Sequence, residues 1–206
     1  MRANHSSKTF QDFVRKSPLK IPFSPPFSLV NTHTLLTFNF AYYQLNKLKA
    51  GKSVVHYEPF FYPLDNIHDW NKMYGNKGFY QYQFVVPRDV GFDAITDVLS
   101  EISKAKQGSF LAVLKTFGKK EALGMLSFPQ EGVTLALDFP NSGTKTTQLF
   151  GRLDSIVNQA KGRIYMAKDA RMPREMFESG YPNFNEFLKY RDSGISSALS
   201  RRLMGY

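Results

Sequence analysis

The sequence predicts an α+β fold, an antiparallel sheet with helices packed on one face, and three observations carry that expectation. Segments rich in β-branched and aromatic residues alternate with segments of helical periodicity, in the order strand, helix, strand, strand, helix. Three of the strand segments keep their polar side chains on one face. Aromatic residues make up 15% of the chain, with 19 Phe and 11 Tyr against one Trp, a bias that favours sheets over a coiled or disordered chain.

Residues 1–30 form a basic, proline-containing N-terminal segment in which Ile21 to Ser28, IPFSPPFS, reads as a linker or loop. Asn31 to Leu48 carries Leu35, Leu36, Phe38, Phe40, Tyr42, Tyr43 and Leu45 and is expected to be a helix ending at Gly51. Val54 to Phe61 reads as a strand stopped by Pro63, and Asp65 to Met73 as a short helix begun by an Asp cap. Tyr74 and Gly75 then turn into the strand Phe79 to Val86. Asp93 to Lys106 places Ile95, Val98, Leu99 and Ile102 at helical spacing, with Asp93 as cap and Gly108 beyond the end. Ser109 to Phe117 and Val133 to Phe139 are the next two strands. Thr144 to Lys161 repeats the helical pattern with Leu149, Phe150, Leu153, Ile156, Val157 and Ala160, and stops at Gly162. Arg163 to Lys168 reads as a short strand, Pro173 to Phe177 and Tyr181 to Tyr190 as small helices, and Leu199 to Leu203 as a basic terminal turn. These last elements look too small for a core of their own and call for cover by another partner.

The strand faces bear on function. Gln81 and Gln83 share a face with Phe79 and Val85, opposite Tyr80, Tyr82, Phe84 and Val86. Lys115 falls with Leu111, Val113 and Phe117, and the set Thr134, Ala136, Asp138 opposes Val133, Leu135, Leu137 and Phe139. Amides, an ammonium and a carboxylate thus converge on one wall. Burying such groups unpaired costs roughly 1–3 kcal/mol each, so partners or a ligand are expected. The same residues suit a solvated sheet face, and the pattern alone leaves both readings open.

Composition narrows the chemistry. The absence of cysteine excludes disulfides, thiolate nucleophiles and Cys-ligated metals, and His5, His33, His56 and His68 show no metal-ligand spacing. A net charge of +10 suits phosphates, nucleic acid or an anionic membrane surface. Ile21 to Tyr43 is interrupted by Pro22, Pro25, Pro26, Asn31, His33 and Asn39, so no transmembrane span is expected. The opening MRANHSSKTFQDFVRKS lacks the apolar core of a secretory signal, which makes cytoplasmic the default location. Lys77, Gly78, Phe79 and Phe84 match part of an RNA-recognition pattern, but Gln81 stands where its stacking aromatic is needed. Gly143-Thr144-Lys145-Thr146 lacks the preceding glycine and the Gly-Lys pair of a phosphate loop and reads as a helix start.

The strings FFYPLDNIHDWNKMYGNKGFYQYQFVVP, FLAVLKTFG, LSFPQEGVTLALDFPN and GRIYMAKDARM stand in the order and spacing of one flavoprotein family. From about Val54 to Leu203 the chain resembles decaprenylphosphoryl-β-D-ribose 2-oxidase-like FAD-linked oxidases of the vanillyl-alcohol-oxidase superfamily. The resemblance implies a substrate-binding cap over residues 31–161, and a tail, residues 162–206, that completes an FAD-binding domain. It implies FAD as cofactor, a lipid-linked sugar phosphate as substrate, and a place in cell-wall sugar metabolism. The chain departs from the pattern at its front, where neither the N-terminal FAD-binding domain nor a Gly-rich turn for a pyrophosphate is found. Activity is therefore expected only with a separate FAD-domain polypeptide, and the isolated chain is expected to be inactive.

Residue by residue, the resemblance puts Lys168 beside the flavin as the catalytic cation, with Tyr165 next to the cofactor, since both match the YxAKD turn. It makes Gln81, Gln83 and Lys115 contacts to sugar and phosphate, and Phe117 an apolar wall. Phe61 stands where close relatives carry tyrosine, and Thr134 and Ala136 where some carry Asn and Cys, so substrate preference is expected to differ and thiol-directed chemistry is excluded at Ala136. Asp138 is read as orienting its neighbours, and no general base is identified. Read as plain residues, Lys168 is a surface lysine near a turn and Lys115 an edge-strand gatekeeper. The rival function is a stand-alone binding module for a phosphorylated or nucleic-acid ligand. Peripheral membrane or prenyl-chain contact by Ile21 to Tyr43 stands beside burial of that stretch in the cap core.

Overall fold

A computed structural model of the chain describes residues 19–57, 61–62 and 67–205. They fall into two compact units, one of residues 19–29 and 33–78, the other of residues 30–32 and 79–205.

In the first unit β1 (Leu19–Lys20) pairs in parallel with β2 (Ile67–His68), and α1 spans Thr32–Leu48. Of the α1 side chains only Leu35 is buried, while Leu36, Phe38, Phe40, Tyr42, Tyr43, Leu45 and Leu48 are exposed. Among the described residues of the strand expected over Val54 to Phe61 none is in a strand: Val54 and Val55 are exposed without regular structure, and Tyr57 and Phe61 are helical. Among the described residues no neighbouring strand takes up the backbone groups of Val54 and Val55, and propensity alone cannot sustain a strand. The Asp cap expected at Asp65 lies outside the described residues. Asp69, in the left-handed conformation at φ 57°, precedes a 3₁₀ turn over Trp70–Tyr74 and binds Lys72 at 2.9 Å. Gly75 follows at φ 73°, where a Cβ would stand 2.8 Å from the Phe27 carbonyl.

The second unit is built on β3 (Phe79–Val86), β4 (Ala112–Phe117), β5 (Gly132–Pro140) and β6 (Arg163–Ile164), in the spatial order β4-β5-β3-β6 with every pairing antiparallel. Helices α2 (Gly91–Lys104) and α3 (Thr144–Gln159) are its two long helices. Tyr82, Phe84, Val86, Leu135, Leu137 and Phe139 from one sheet face join Val98, Ile102, Leu149, Phe150, Leu153 and Val157 from these helices in one core. Each such side chain contributes roughly 1.5–3 kcal/mol by leaving water. The α+β sheet with helices on one face is therefore the observed architecture.

Helix ends differ from the expectation in instructive ways. α2 begins at Gly91, with the Ala94 amide bonded to Val90 O at 3.0 Å, so Asp93 lies in the first turn and does not cap it. Its left-handed end is Lys106 at φ 51°, two residues before Gly108. Leu99 is exposed, since the buried stripe runs through Ile95, Val98 and Ile102. α3 ends similarly with Lys161 at φ 54° and the Gly162 amide bonded to Val157 O at 2.8 Å. Gly162 packs so tightly that a Cβ would lie 2.6 Å from Val85 O.

After Gly162 the expected six-residue strand shortens to β6, and Met166–Lys168 form a 3₁₀ turn. Helices α4 (Arg174–Gly180), α5 (Phe184–Leu188) and α6 (Ala198–Met204) complete the chain. The tail has no core of its own, as expected, but this chain's own sheet covers it: Met172, Phe177, Tyr181, Phe184 and Leu203 are buried in the same cluster as the sheet. The edge β6 draws the tail in, and the Tyr181 hydroxyl donates to Ile164 O at 2.6 Å. Burial pushes that phenol up to about 12. Among the described residues no helix is long and apolar enough to cross a membrane.

Candidate functional site

Strand alternation leaves the second sheet face to the polar set. Register places Gln81 opposite Asp138, Gln83 opposite Ala136, Val113 opposite Ala136 and Lys115 opposite Thr134. These residues, with Leu111 and Lys168, line a concavity of about 90 Å³. Gln81, Gln83, Lys115, Thr134, Ala136 and Lys168, each expected at the site, are thus brought together. Lys168 arrives from the tail and not from the sheet.

Hydrogen bonds across the strands organise the floor. Gln81 Nε2 donates to Asp138 Oδ1 at 3.0 Å, and Gln83 Nε2 to Thr134 Oγ1 at 3.3 Å. Thr134 and Asp138 are buried, at 1% and 4% exposure. The Asp138 amide donates to Ser109 Oγ at 2.7 Å, and the Ser109 hydroxyl in turn donates to Leu111 O. Burial pushes the Asp138 carboxyl above its usual range, against the opposing pull of the Gln81 bond and the Lys168 charge. Lys115 is exposed on the edge strand and Lys168 is half-buried, and among the described residues neither has an ion-pair partner.

The Lys168 turn is held from behind. Asp169 Oδ1 accepts the amides of Arg171 and Met172 at 2.9 and 2.7 Å. Arg202 of α6 donates to Asp169 Oδ2 at 2.8 Å and to Met172 O at 2.7 Å. The Tyr165 amide donates to Gln83 O at 2.8 Å, so the approach to this turn continues the β3 edge. These contacts turn a residue far along the chain into part of the sheet's wall.

Phe117 and Tyr165 fall outside the lining and flank it through Phe128. The Phe128 ring stacks on Tyr165 with centroids 4.6 Å apart and meets Phe117 edge-on at 6.1 Å. Arg163 Nη1 holds the neighbouring Ser127 O at 3.0 Å, so the loop between β4 and β5 folds back over the polar face. Phe128, 5% exposed, was not singled out from the sequence; its place in LSFPQEG, directly before a strand, was the available signal. Phe61 belongs to the first unit, where its side chain is exposed.

On the helix-covered face the sequence reading missed a second polar network. Tyr82 donates its hydroxyl to Asp154 Oδ1 at 2.9 Å, and Arg171 Nη2 meets Asp154 Oδ2 at 2.6 Å with its guanidinium 5.2 Å from the Phe150 ring centroid. Burial pushes Asp154 up against the pull of Arg171, and raises Tyr82 well above the ordinary phenol range. Asp154, four residues after Phe150 and three before Val157, was legible as a carboxylate on a buried stripe.

A small-molecule site commonly encloses roughly 300–1,000 Å³. The concavity of about 90 Å³ is smaller than that. Its lining carries two ammonium groups, two amides, a hydroxyl and the Asp138 carboxylate around the small Ala136 side chain.

No protein-family model matches the chain. It is 33% identical over 204 residues to the decaprenylphosphoryl-beta-D-ribose oxidase of Mycolicibacterium smegmatis, an alignment covering 92% of this chain and 43% of that protein. It is 38% identical over 96 residues to an uncharacterized protein in the mprA 5' region of Streptomyces coelicolor, covering 44% of this chain and 26% of that relative. The chain spans less than half the length of these relatives. The resemblance read from the four sequence strings is borne out by the first of them.

Proposed function

We propose that this chain supplies the substrate-side wall of an FAD-linked oxidoreductase that oxidises a sugar alcohol carried on polyprenyl phosphate, of the polyprenyl-phosphoryl ribose 2-epimerisation type. The observation that carries the reading is the meeting of Lys115 and Lys168, both without ion-pair partners among the described residues, with Gln81 and Gln83 on one sheet face. The 33% identity to an oxidase of that substrate class supports it. On this reading residues 31–161 are the substrate cap, and residues 162–206 complete an FAD-binding domain whose remainder comes from outside these residues.

The donor set fits a flavin on one side. Lys168 offers a cation on a turn braced by Asp169 and Arg202, and Tyr165 offers an aromatic ring beside it. Bound FAD would supply the hydride acceptor. Lys168 places fixed positive charge where negative charge grows, an interaction that costs no reorganisation during reaction. Lys115 positions the phosphate, Gln81, Gln83 and Thr134 bind sugar hydroxyls, and Phe117 with Phe128 excludes water at one side. Ala136 leaves space that a larger residue would fill. The exposed aromatic side chains of α1 serve the prenyl chain or the membrane surface on which such a substrate lies. The partners are thus an FAD-domain polypeptide, a lipid-linked sugar phosphate and a peripheral membrane surface.

The test is flavin binding and substrate-dependent bleaching of the flavin bands, for the chain alone and mixed with a family FAD domain. Reconstituted reduction is expected, falling about a hundredfold in Lys168→Ala, the scale for losing one preorganised charge contact. Flavin reduction absent in both arrangements, together with salt-sensitive binding of polyanions, would favour the stand-alone binding module.

A further inference from the structure

We infer that Asp138 is a positioning residue that turns the Gln81 side chain so that its carbonyl oxygen is the atom left for the ligand. The β3–β5 register sets the two residues directly opposite, and Gln81 Nε2 lies 3.0 Å from Asp138 Oδ1. An ionised carboxylate only accepts, so it commits an N–H of the amide and rules out the flipped orientation. Gln81 Oε1 then has no partner within the described chain. The Asp138 backbone is held by its amide on Ser109 Oγ at 2.7 Å, and at 4% exposure the packing around the residue limits how far its carboxylate can follow the glutamine. The neighbouring Gln83 Nε2 points at Thr134 Oγ1 at 3.3 Å, but a hydroxyl both donates and accepts, so that orientation is not forced. The two glutamines therefore differ: Gln83 adapts, whereas Gln81 demands a hydrogen-bond donor.

The ligand group that meets Gln81 is accordingly a hydroxyl that donates. Identifying it with a hydroxyl of a sugar phosphate rests on the function proposed above; the orientation itself does not. The first measurement uses the full, isotope-labelled chain without ligand, near neutral pH, with the Gln81 side-chain amide identified by its loss in Gln81→Met. Its Nε2 protons are expected to exchange with water about tenfold or more slowly than an exposed glutamine amide, a factor equal to about 1.4 kcal/mol. Asp138→Leu, which offers no acceptor, should remove that protection while the backbone resonances of Phe84 and Leu135 stay in place. Exchange as fast as a free amide in the unmodified chain, or protection that survives Asp138→Leu, overturns the assignment. The first of these needs no variant to fold.

The ligand arm titrates ribose 1-phosphate and analogues with one hydroxyl at a time replaced by fluorine, which accepts but does not donate, following the same amide. One replacement should weaken binding about tenfold, near the low end for leaving a polar group unpaired, and Asp138→Asn should narrow that difference. Equal affinity for every analogue overturns the demand for a donor. If no sugar binds, the proposed substrate class fails, and the orientation is decided by the exchange rates.

Discussion

On the helix-covered face of the sheet, Asp154 meets Arg171 at 2.6 Å and Tyr82 at 2.9 Å, so anion, cation and hydroxyl complete one another. On the open face, Lys115 and Lys168 share a floor whose carboxylate, Asp138, is bonded to Gln81. Both faces carry buried polar groups on apolar strands, yet only the first is internally balanced in charge. Buried polarity by itself marks neither function nor structure. The surplus cations on the open face are what point to an anionic ligand, and the matched pair on the other is what points to architecture.

Substitutions sharpen this contrast. Arg171→Leu leaves Asp154 buried without its cation and should destabilise the chain by about 3 kcal/mol in urea unfolding, the low end for breaking a buried pair. Lys168→Ala and Lys115→Ala remove charges with no ion-pair partner in the described chain and should change stability by no more than about 0.5 kcal/mol. If a lysine variant instead proves as destabilising as Arg171→Leu, the open face is architecture too, and its claim as a binding wall fails.

Between these extremes lies Arg202→Ala. Arg202 spans the Lys168 turn through Asp169 and Met172, with the Asp169 side chain only 5% exposed. Hydrogen bonds to charged groups contribute roughly 1.5–3 kcal/mol; since the Arg202 side chain is itself 30% exposed, a loss of about 1.5 kcal/mol is expected. In a reconstituted enzyme the same variant should lower turnover, because the cation it braces loses its fixed place. Unchanged turnover with lowered stability would separate the brace from the site.

The same contrast explains what was legible in the sequence. Phe79 to Val86 forms a strand over the expected residues, because period-two alternation with a buried aromatic face has few other solutions. The convergence of Gln81, Gln83, Lys115 and Thr134 followed from that alternation once the strands paired in register. Lys168 is different. Nothing local in Met166–Lys168 announces a site, and its position depends on Asp169, Arg202 and the edge β6, all long-range partners. Only the resemblance identified it beforehand. Val54 and Val55, from the strand expected over Val54 to Phe61, are irregular for the converse reason: among the described residues they meet no neighbouring strand. The tail escaped as a packed element because its helices are short, and their core is shared with the sheet.

The smallest effect is a pH dependence. Burial raises Asp138 above the ordinary carboxyl value of 3.8, so the folded chain holds this proton more tightly than the unfolded chain does. By linkage its contribution to stability is fully present below the unfolded value and is lost as pH rises through the raised folded value. Asp138→Asn has no proton to lose, so the stability of the variant relative to the unmodified chain should improve as pH climbs from about 4 through that window and then level off. Asp154 is raised in the same direction, but it remains in both proteins and cancels in the difference. Parallel urea titrations of the two proteins across acid pH give the curve directly. A flat difference would mean that Gln81 and the Lys168 charge offset the burial of Asp138 in full, which would bring the open face closer to the balance of the other.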